Sequence, residues 1–184
     1  MIKLVLIVNV LLLYTTAPKK EAMKTKERLL RGPLLCWDIY AMHLTEQAVN
    51  FNRETELGIL KAFKEKFGWA LDIEKIFAEK DFEALVLTDN NQNIQWVNKG
   101  FTKMTGYPAN YAKGKKPNFL QGEASSEQTK KAIRENLNRG KQFKEQIINY
   151  KKDGTPYNCE IEIYPIKDNN KTTHYLAIEK EIGM

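Results

Sequence analysis

Few side chains in this chain could do covalent or metal chemistry, and their spacing does not bring them together. There are two cysteines, Cys36 and Cys159, and two histidines, His43 and His174. Neither cysteine belongs to a C-x-x-C pair, and histidines so far apart make no metal constellation. Both thiols read as buried and reduced, because a small apolar thiol fills a core well, and a disulfide between them is the alternative, without support from spacing. No nucleophile–base pair is visible, so no enzyme class is indicated. What remains is a run, Lys116-Pro117-Asn118-Phe119-Leu120-Gln121-Gly122, and a few polar residues on apolar strands. Side chains alternate faces along a strand, so Asn149 goes with Ile147, Cys159 with Tyr157, Ile161 and Ile163, and Glu179 with Tyr175 and Ala177. If that set faces inward, Glu179 is a buried carboxylate, which costs several kcal/mol unless paired or protonated. Lys116 is the expected partner if the pocket has collapsed onto itself; Lys116→Met would then raise the pKa of Glu179.

The elements that must position these residues change character near Phe82. Before it the spacing predicts helices: Leu34, Leu35, Ile39, Met42 and Leu44 through about Val49, then about Glu54 to Phe67, then about Asp72 to Glu79. After it come two strands, 84–88 and 94–98, joined by the turn cluster Asp89-Asn90-Asn91. Phe101, Met104 and Tyr107 mark a short helical region. Ser125-Ser126-Glu127-Gln128 has capping-box spacing and opens a helix to about Asn138, stopped at Gly140. Three strands follow, about 142–151, 155–166 and 172–182, turned at Lys152-Asp153-Gly154 and Asp168-Asn169-Asn170. Two strands, a block of short helices and a three-strand meander make an α+β arrangement, a five-stranded antiparallel sheet with helices on one face.

A length of 184 residues suits one domain with a helical extension. With 42% hydrophobic and 28% charged residues the chain can bury a core. The net charge of +6 resides almost wholly in residues 1–36, where seven Lys/Arg face two Glu. A basic leader without a recognition motif argues against nucleic-acid binding. Ile2 to Tyr14 is an apolar run broken by Lys3 and Asn9, too short for a comfortable span, so a membrane partner is not expected. It reads either as a signal-like segment or as sequence ahead of a true start at Met23. The division expected is a leader over 1–22, a helical extension over 23–81 and a sheet domain over 82–182. The expected location is cytoplasmic.

The order of elements and several short words resemble the PAS fold, and within it the LOV photoreceptor branch. The words are Val97-Asn98-Lys99-Gly100-Phe101, Thr105-Gly106-Tyr107, Asn149-Tyr150-Lys151-Lys152-Asp153-Gly154-Thr155-Pro156, and Gly114 with Phe119-Leu120-Gln121-Gly122. The LOV signature, Gly-x-Asn-Cys-Arg-Phe-Leu-Gln-Gly, holds a flavin and supplies a reactive cysteine. Here Pro117 stands at the cysteine position, so the resemblance implies no sulfur adduct. It also implies cofactor-binding positions at Gln121, Asn149 and Arg134, which keep the family's residue types, and at Cys159 and Glu179, where an asparagine and a glutamine would stand. Lys116 and Asn118 replace the signature's asparagine and phosphate-binding arginine.

Each position also has a plainer reading. Gln121 could bond the backbone of its own turn, Asn149 could support the following turn, Cys159 could be packing, and Arg134 a solvated helix charge. On the opposite face Ile148, Tyr150, Leu176 and Ile178 make an apolar patch that needs a cover, either the N-terminal helices or a second subunit. The expectation is therefore a single-domain, non-enzymatic PAS sensor relaying signals through protein partners or as a dimer through the sheet face, of a bacterial regulator type, with no cofactor. The alternative is a flavin (FMN) or other small-ligand sensor with a non-covalent pocket.

Overall fold

The computed structural model describes residues 19–169 and 171–183, with side chains from Trp37 onward. The side chain of Cys36 and most of the leader over 1–22 therefore lie outside what is described. The chain divides into two compact units, Met1–Arg53 and Glu54–Met184. Helix α1 (Lys19–Phe67) contributes to both. The sequence pattern splits this stretch near residue 50; the structure does not, because Asn50-Phe51-Asn52-Arg53 contains neither glycine nor proline to stop a helix. No described helix is long and apolar enough to cross a membrane.

The second unit continues with α2 (Ile73–Glu79), β1 (Ala84–Asp89), β2 (Ile94–Val97), α3 (Lys99–Thr105), α4 (Ala109–Ala112) and a 3₁₀ turn (Pro117–Leu120). Then come α5 (Glu127–Arg139), β3 (Phe143–Tyr150), β4 (Pro156–Asp168) and β5 (Lys171–Ile182). The five strands form one antiparallel sheet in the order β2-β1-β5-β4-β3. The last strand lies at the centre, so the two halves of the chain meet along it: Ala84 of β1 and Ile161 of β4 both sit opposite Glu179.

Local chemistry explains the helix ends. Asn98 accepts from Phe101 N at 2.8 Å and from Leu85 N at 3.0 Å, and donates to Glu83 O at 3.2 Å. One buried amide thus caps α3 and ties it to β1. Gly106 closes α3 at φ 75°, the left-handed conformation glycine adopts without cost. At α5 the expected capping box is displaced by one residue: Ser126 is the cap and accepts from Thr129 N. Ser125 instead turns inward, accepting from Gly122 N at 2.9 Å and donating to Ile148 O at 2.6 Å. It pins the loop after the 3₁₀ turn to the edge of β3.

Both faces of the sheet are covered. On the inner face Val86, Ile94, Phe101, Leu120, Ile147, Tyr157, Cys159 and Ala177 pack beneath the short helices. On the outer face Leu85, Leu87, Tyr164, Ile166, Leu176 and Ile178 meet Leu60, Trp69, Ile73, Ile76 and Phe77. The cover is thus the last turns of α1 and the whole of α2, the first of the two covers the patch calls for. Phe63, Phe67 and Trp69 stack beside His174, whose ring lies 4.6 Å from Phe67.

Gly100 shows how closely α3 approaches β1. A Cβ there would sit 1.7 Å from Glu83 O, a backbone atom that cannot swing aside. Gly100→Ala is expected to destabilise the fold by about 2–3 kcal/mol, seen as a lowered urea midpoint; a midpoint within error of the parent would mean this contact yields freely.

Candidate functional site

Between the inner sheet face, the 3₁₀ turn and α5 lies a cavity of about 550 Å³. That volume falls within the range of small-molecule sites. Its apolar wall comes from Val86, Leu120, Ile133, Leu137, Ile147, Ile161 and Ile163. Three polar side chains project into it from different elements: Gln121 after the 3₁₀ turn, Asn149 from β3 and Glu179 from β5. Asn149 and Glu179 are buried, as their places in the strand alternation require.

Cavity and sequence expectation disagree over Lys116. Lys116 lines the cavity but is exposed, and no ion pair joins it to Glu179 among the described residues. The pocket has not collapsed. Glu179 Oε2 has no hydrogen-bond partner. With no cation nearby, burial alone pushes its carboxyl up to about 7. The expected Lys116→Met effect on Glu179 therefore loses its basis, because the two groups are not coupled in this geometry.

The remaining sequence-derived positions fall in different places. Cys159 is fully buried on the inner face, yet it does not line the cavity. Its thiol is free, and burial, then the charges of Glu179, Glu181 and Glu83, push its pKa far up, so it is unreactive core. Arg134 lines the cavity, but it is exposed and folded against its own helix, Nε donating to Lys130 O at 3.2 Å. Of the outer-face set, Leu176 and Ile178 are buried under the chain's own helices. Ile148 and Tyr150 lie half-buried on the edge strand, and the Tyr150 hydroxyl accepts from Ala124 N at 2.9 Å. Those four residues therefore do not form one open patch.

Sequence reasoning missed two other contributors on α5, Glu127 and Lys130, which line the cavity with Arg134. Lys130 Nζ is 2.8 Å from Glu127 Oε1, and Arg134 Nη2 is 3.9 Å from Glu127 Oε2. Their spacing of three and four residues puts all three on one helix face, a signal present in the sequence. Thr88 and Gln92 also line the cavity, and Gln92 takes a positive φ of 67° in the β1–β2 turn. Among the described residues no group of three or more His, Cys, Asp or Glu could hold a metal ion.

The PAS domain family model matches residues 83–183, the sheet and the helices that enclose the cavity. The chain belongs to the PAS domain family. Within it, residues of this PAS domain are 34% identical over 97 positions to phototropin-1A of Oryza sativa subsp. japonica, covering 52% of this chain and 10% of that protein. They are 33% identical over 101 positions to a blue-light photoreceptor of Listeria monocytogenes, covering 53% of this chain and 40% of the relative. The nitrogen fixation regulatory protein of Klebsiella oxytoca is 28% identical over 102 positions, 55% of this chain and 21% of its own length. The chain thus spans less than half the length of these relatives. Among solved structures, the dark structure of the blue-light photoreceptor Aureochrome1 LOV superposes with a TM-score of 0.57 at 21% identity, over 61% of this chain and 84% of that one. The LOV domain of a blue-light activated histidine kinase from Erythrobacter litoralis gives 0.53 at 24% identity, over 58% and 100%. At those identities the likeness is of fold. This is a PAS domain, similar in sequence to blue-light photoreceptors and to a nitrogen fixation regulatory protein.

Proposed function

We propose that this PAS domain is a sensor that holds a flat heteroaromatic ligand of the flavin class, FMN, non-covalently, and relays its state through protein–protein contacts. It has no enzymatic step of its own. The observation that carries the reading is an open cavity with apolar walls and three inward polar side chains, whose lining includes Pro117 and no cysteine among the described residues. Apolar walls suit a conjugated ring, and Gln121, Asn149 and Glu179 suit its polar edge. Lys116, Lys130 and Arg134 offer cations to a phosphate, although Glu127 must first release two of them. Bound FMN would supply visible-light absorption and reversible reduction. The residues themselves bind and orient the ring and keep water from it.

The relay runs through β5. Glu179 faces the cavity, whereas its neighbour Ile178 packs into the outer cluster with Leu60 and Ile76. A shift at the ligand edge is therefore one peptide unit from the helix-covered face. Titration of the purified protein with FMN tests the reading through quenching of flavin fluorescence. Gln121→Ala or Asn149→Ala should each weaken binding about tenfold, the loss of one or two buried hydrogen bonds. Equal affinity for parent and variants would mean the flavin binds elsewhere.

The partner we propose for the first unit is a second copy of the chain. Trp37 is 67% and Met42 71% exposed, and Ile39, Tyr40, Leu44 and Val49 are exposed on the same helix. Six such side chains from each of two copies would bury on the order of 1,200 Å², the lower bound of a specific interface. Trp37→Lys with Met42→Lys is expected to halve the mass measured by sedimentation equilibrium; a parent that is already monomeric would refute this.

A further inference from the structure

Among the described residues, Glu179 is the buried cavity side chain with a polar atom left without a hydrogen-bond partner. It is 3% exposed, lines the cavity, and leaves Oε2 without a partner. A fold that only needed to fill this position would place an apolar residue there, as it does with Ala177 two residues before. A fold that needed a fixed anion would supply a cation, and among the described residues none pairs with it. Tyr157 and Cys159 of β4 are held neutral by burial, so neither offers a charge. On β5 itself Glu181 is paired with Lys151 at 2.9 Å. Glu83 precedes β1 and adds only negative charge. On α5 Lys130 and Arg134 are turned to Glu127, and Lys116 is exposed at the 3₁₀ turn.

We propose that Glu179 meets its ligand as a neutral carboxylic acid, donating its O–H to an unprotonated acceptor on the ring edge, so that binding to the ionised form takes up one proton. The inference rests on the flavin reading and names the specificity of that same site. A ring carbonyl or imine nitrogen satisfies the donor, while a ligand presenting an N–H or an anion there does not. The proton balance is simple: solvent supplies one H⁺ to Glu179 Oε, no bond of the ligand breaks, and release of the ligand returns the proton. Burial that already favours the neutral form supports this direction, and exclusion of water by a ligand strengthens it.

The test is the affinity for FMN, and separately for riboflavin, from pH 6 to 9 in the parent and in Glu179→Gln, with calorimetry in two buffers of different ionisation enthalpy. Riboflavin has no phosphate, so it removes the titration of that group and of the cations facing it. The parent should lose about tenfold in affinity per pH unit above 7 with both probes and take up close to one proton per flavin at pH 8. Glu179→Gln should show no such slope with riboflavin and no uptake. A flat riboflavin profile in the parent, or a slope that survives in Glu179→Gln, would overturn the inference while leaving the flavin reading intact. Absence of flavin binding at every pH in both proteins would overturn both.

Discussion

Glu179→Gln should stabilise the ligand-free protein by about 3 kcal/mol at pH 8 relative to the parent, and change it little at pH 4. The folded carboxyl titrates near 7 against an ordinary value of 4.5, so between these values the folded state binds more protons than the unfolded one. Stability from this group is therefore whole below about pH 4.5, falls as pH rises towards 7, and stays low above it. An amide has no charge to bury and no slope. Other carboxylates run the opposite way: against burial, hydrogen bonds donated by Asn93 and Gln95 hold Asp89 low, and those from Tyr164, Lys80 and Gln142 hold Glu162 low. Both lose their contribution on acidification, so only the difference between variant and parent isolates Glu179. Urea unfolding at pH 4, 6 and 8 gives that difference. A constant offset across the three would show that the Glu179 carboxyl titrates alike in the folded and unfolded states, so that burial has not raised it.

The second large effect belongs to the opposite face of the sheet. Leu60→Ala is expected to cost about 3–4 kcal/mol, within the usual range for a fully buried leucine. Leu60 has no exposure and sits in the cluster that joins the end of α1 to Leu85, Leu176 and Ile178. Its loss should also raise amide hydrogen exchange over residues 54–67 more than over the sheet, because the helix end holds to the sheet through this cluster. Ile59→Ala, one residue earlier and 36% exposed, is the control and should cost under about 1 kcal/mol. Equal costs for the two would contradict the assigned cover.

Much of this was legible in the residues because the signals were local. Asp89-Asn90-Asn91 and Lys152-Asp153-Gly154 are turns whatever surrounds them, and alternation along β3, β4 and β5 placed Asn149, Cys159 and Glu179 on the inner face. What local pattern could not show was distance across elements. Lys116 and Glu179 looked like partners because a buried carboxylate calls for a cation, but the 3₁₀ turn leaves Lys116 exposed and the cavity open between its walls. Ile148 and Tyr150 share an alternation class with Leu176 and Ile178, yet β3 is an edge strand, where Tyr150 can reach the loop at Gly122 and Ala124. Cys159 shares the inner face with Glu179 and lies across from the cavity residue Ile147, yet it is packed into the core and does not itself line the cavity. Face and depth are separate properties, and only the first follows from period two.

The same distinction separates the frame of the site from its chemistry. Caps at Asn98 and Ser126 and the left-handed glycines at 106 and 140 hold the short helices over the sheet. They keep a cavity open with Pro117 at its edge. Proline has no thiol, so light absorbed by a ring held there cannot be stored as a carbon–sulfur bond at that position. In the function we propose, a proton on Glu179 and a hydrogen-bond rearrangement along β5 would carry the signal.

The most direct measurement is the visible absorption spectrum of the protein loaded with FMN, recorded before, during and after blue illumination. Structured flavin bands should persist under illumination in the absence of a reductant and fade only when one is added. Bands that bleach without a reductant and recover spontaneously in the dark would reveal an adduct and contradict this expectation, as would a protein that retains no flavin at all.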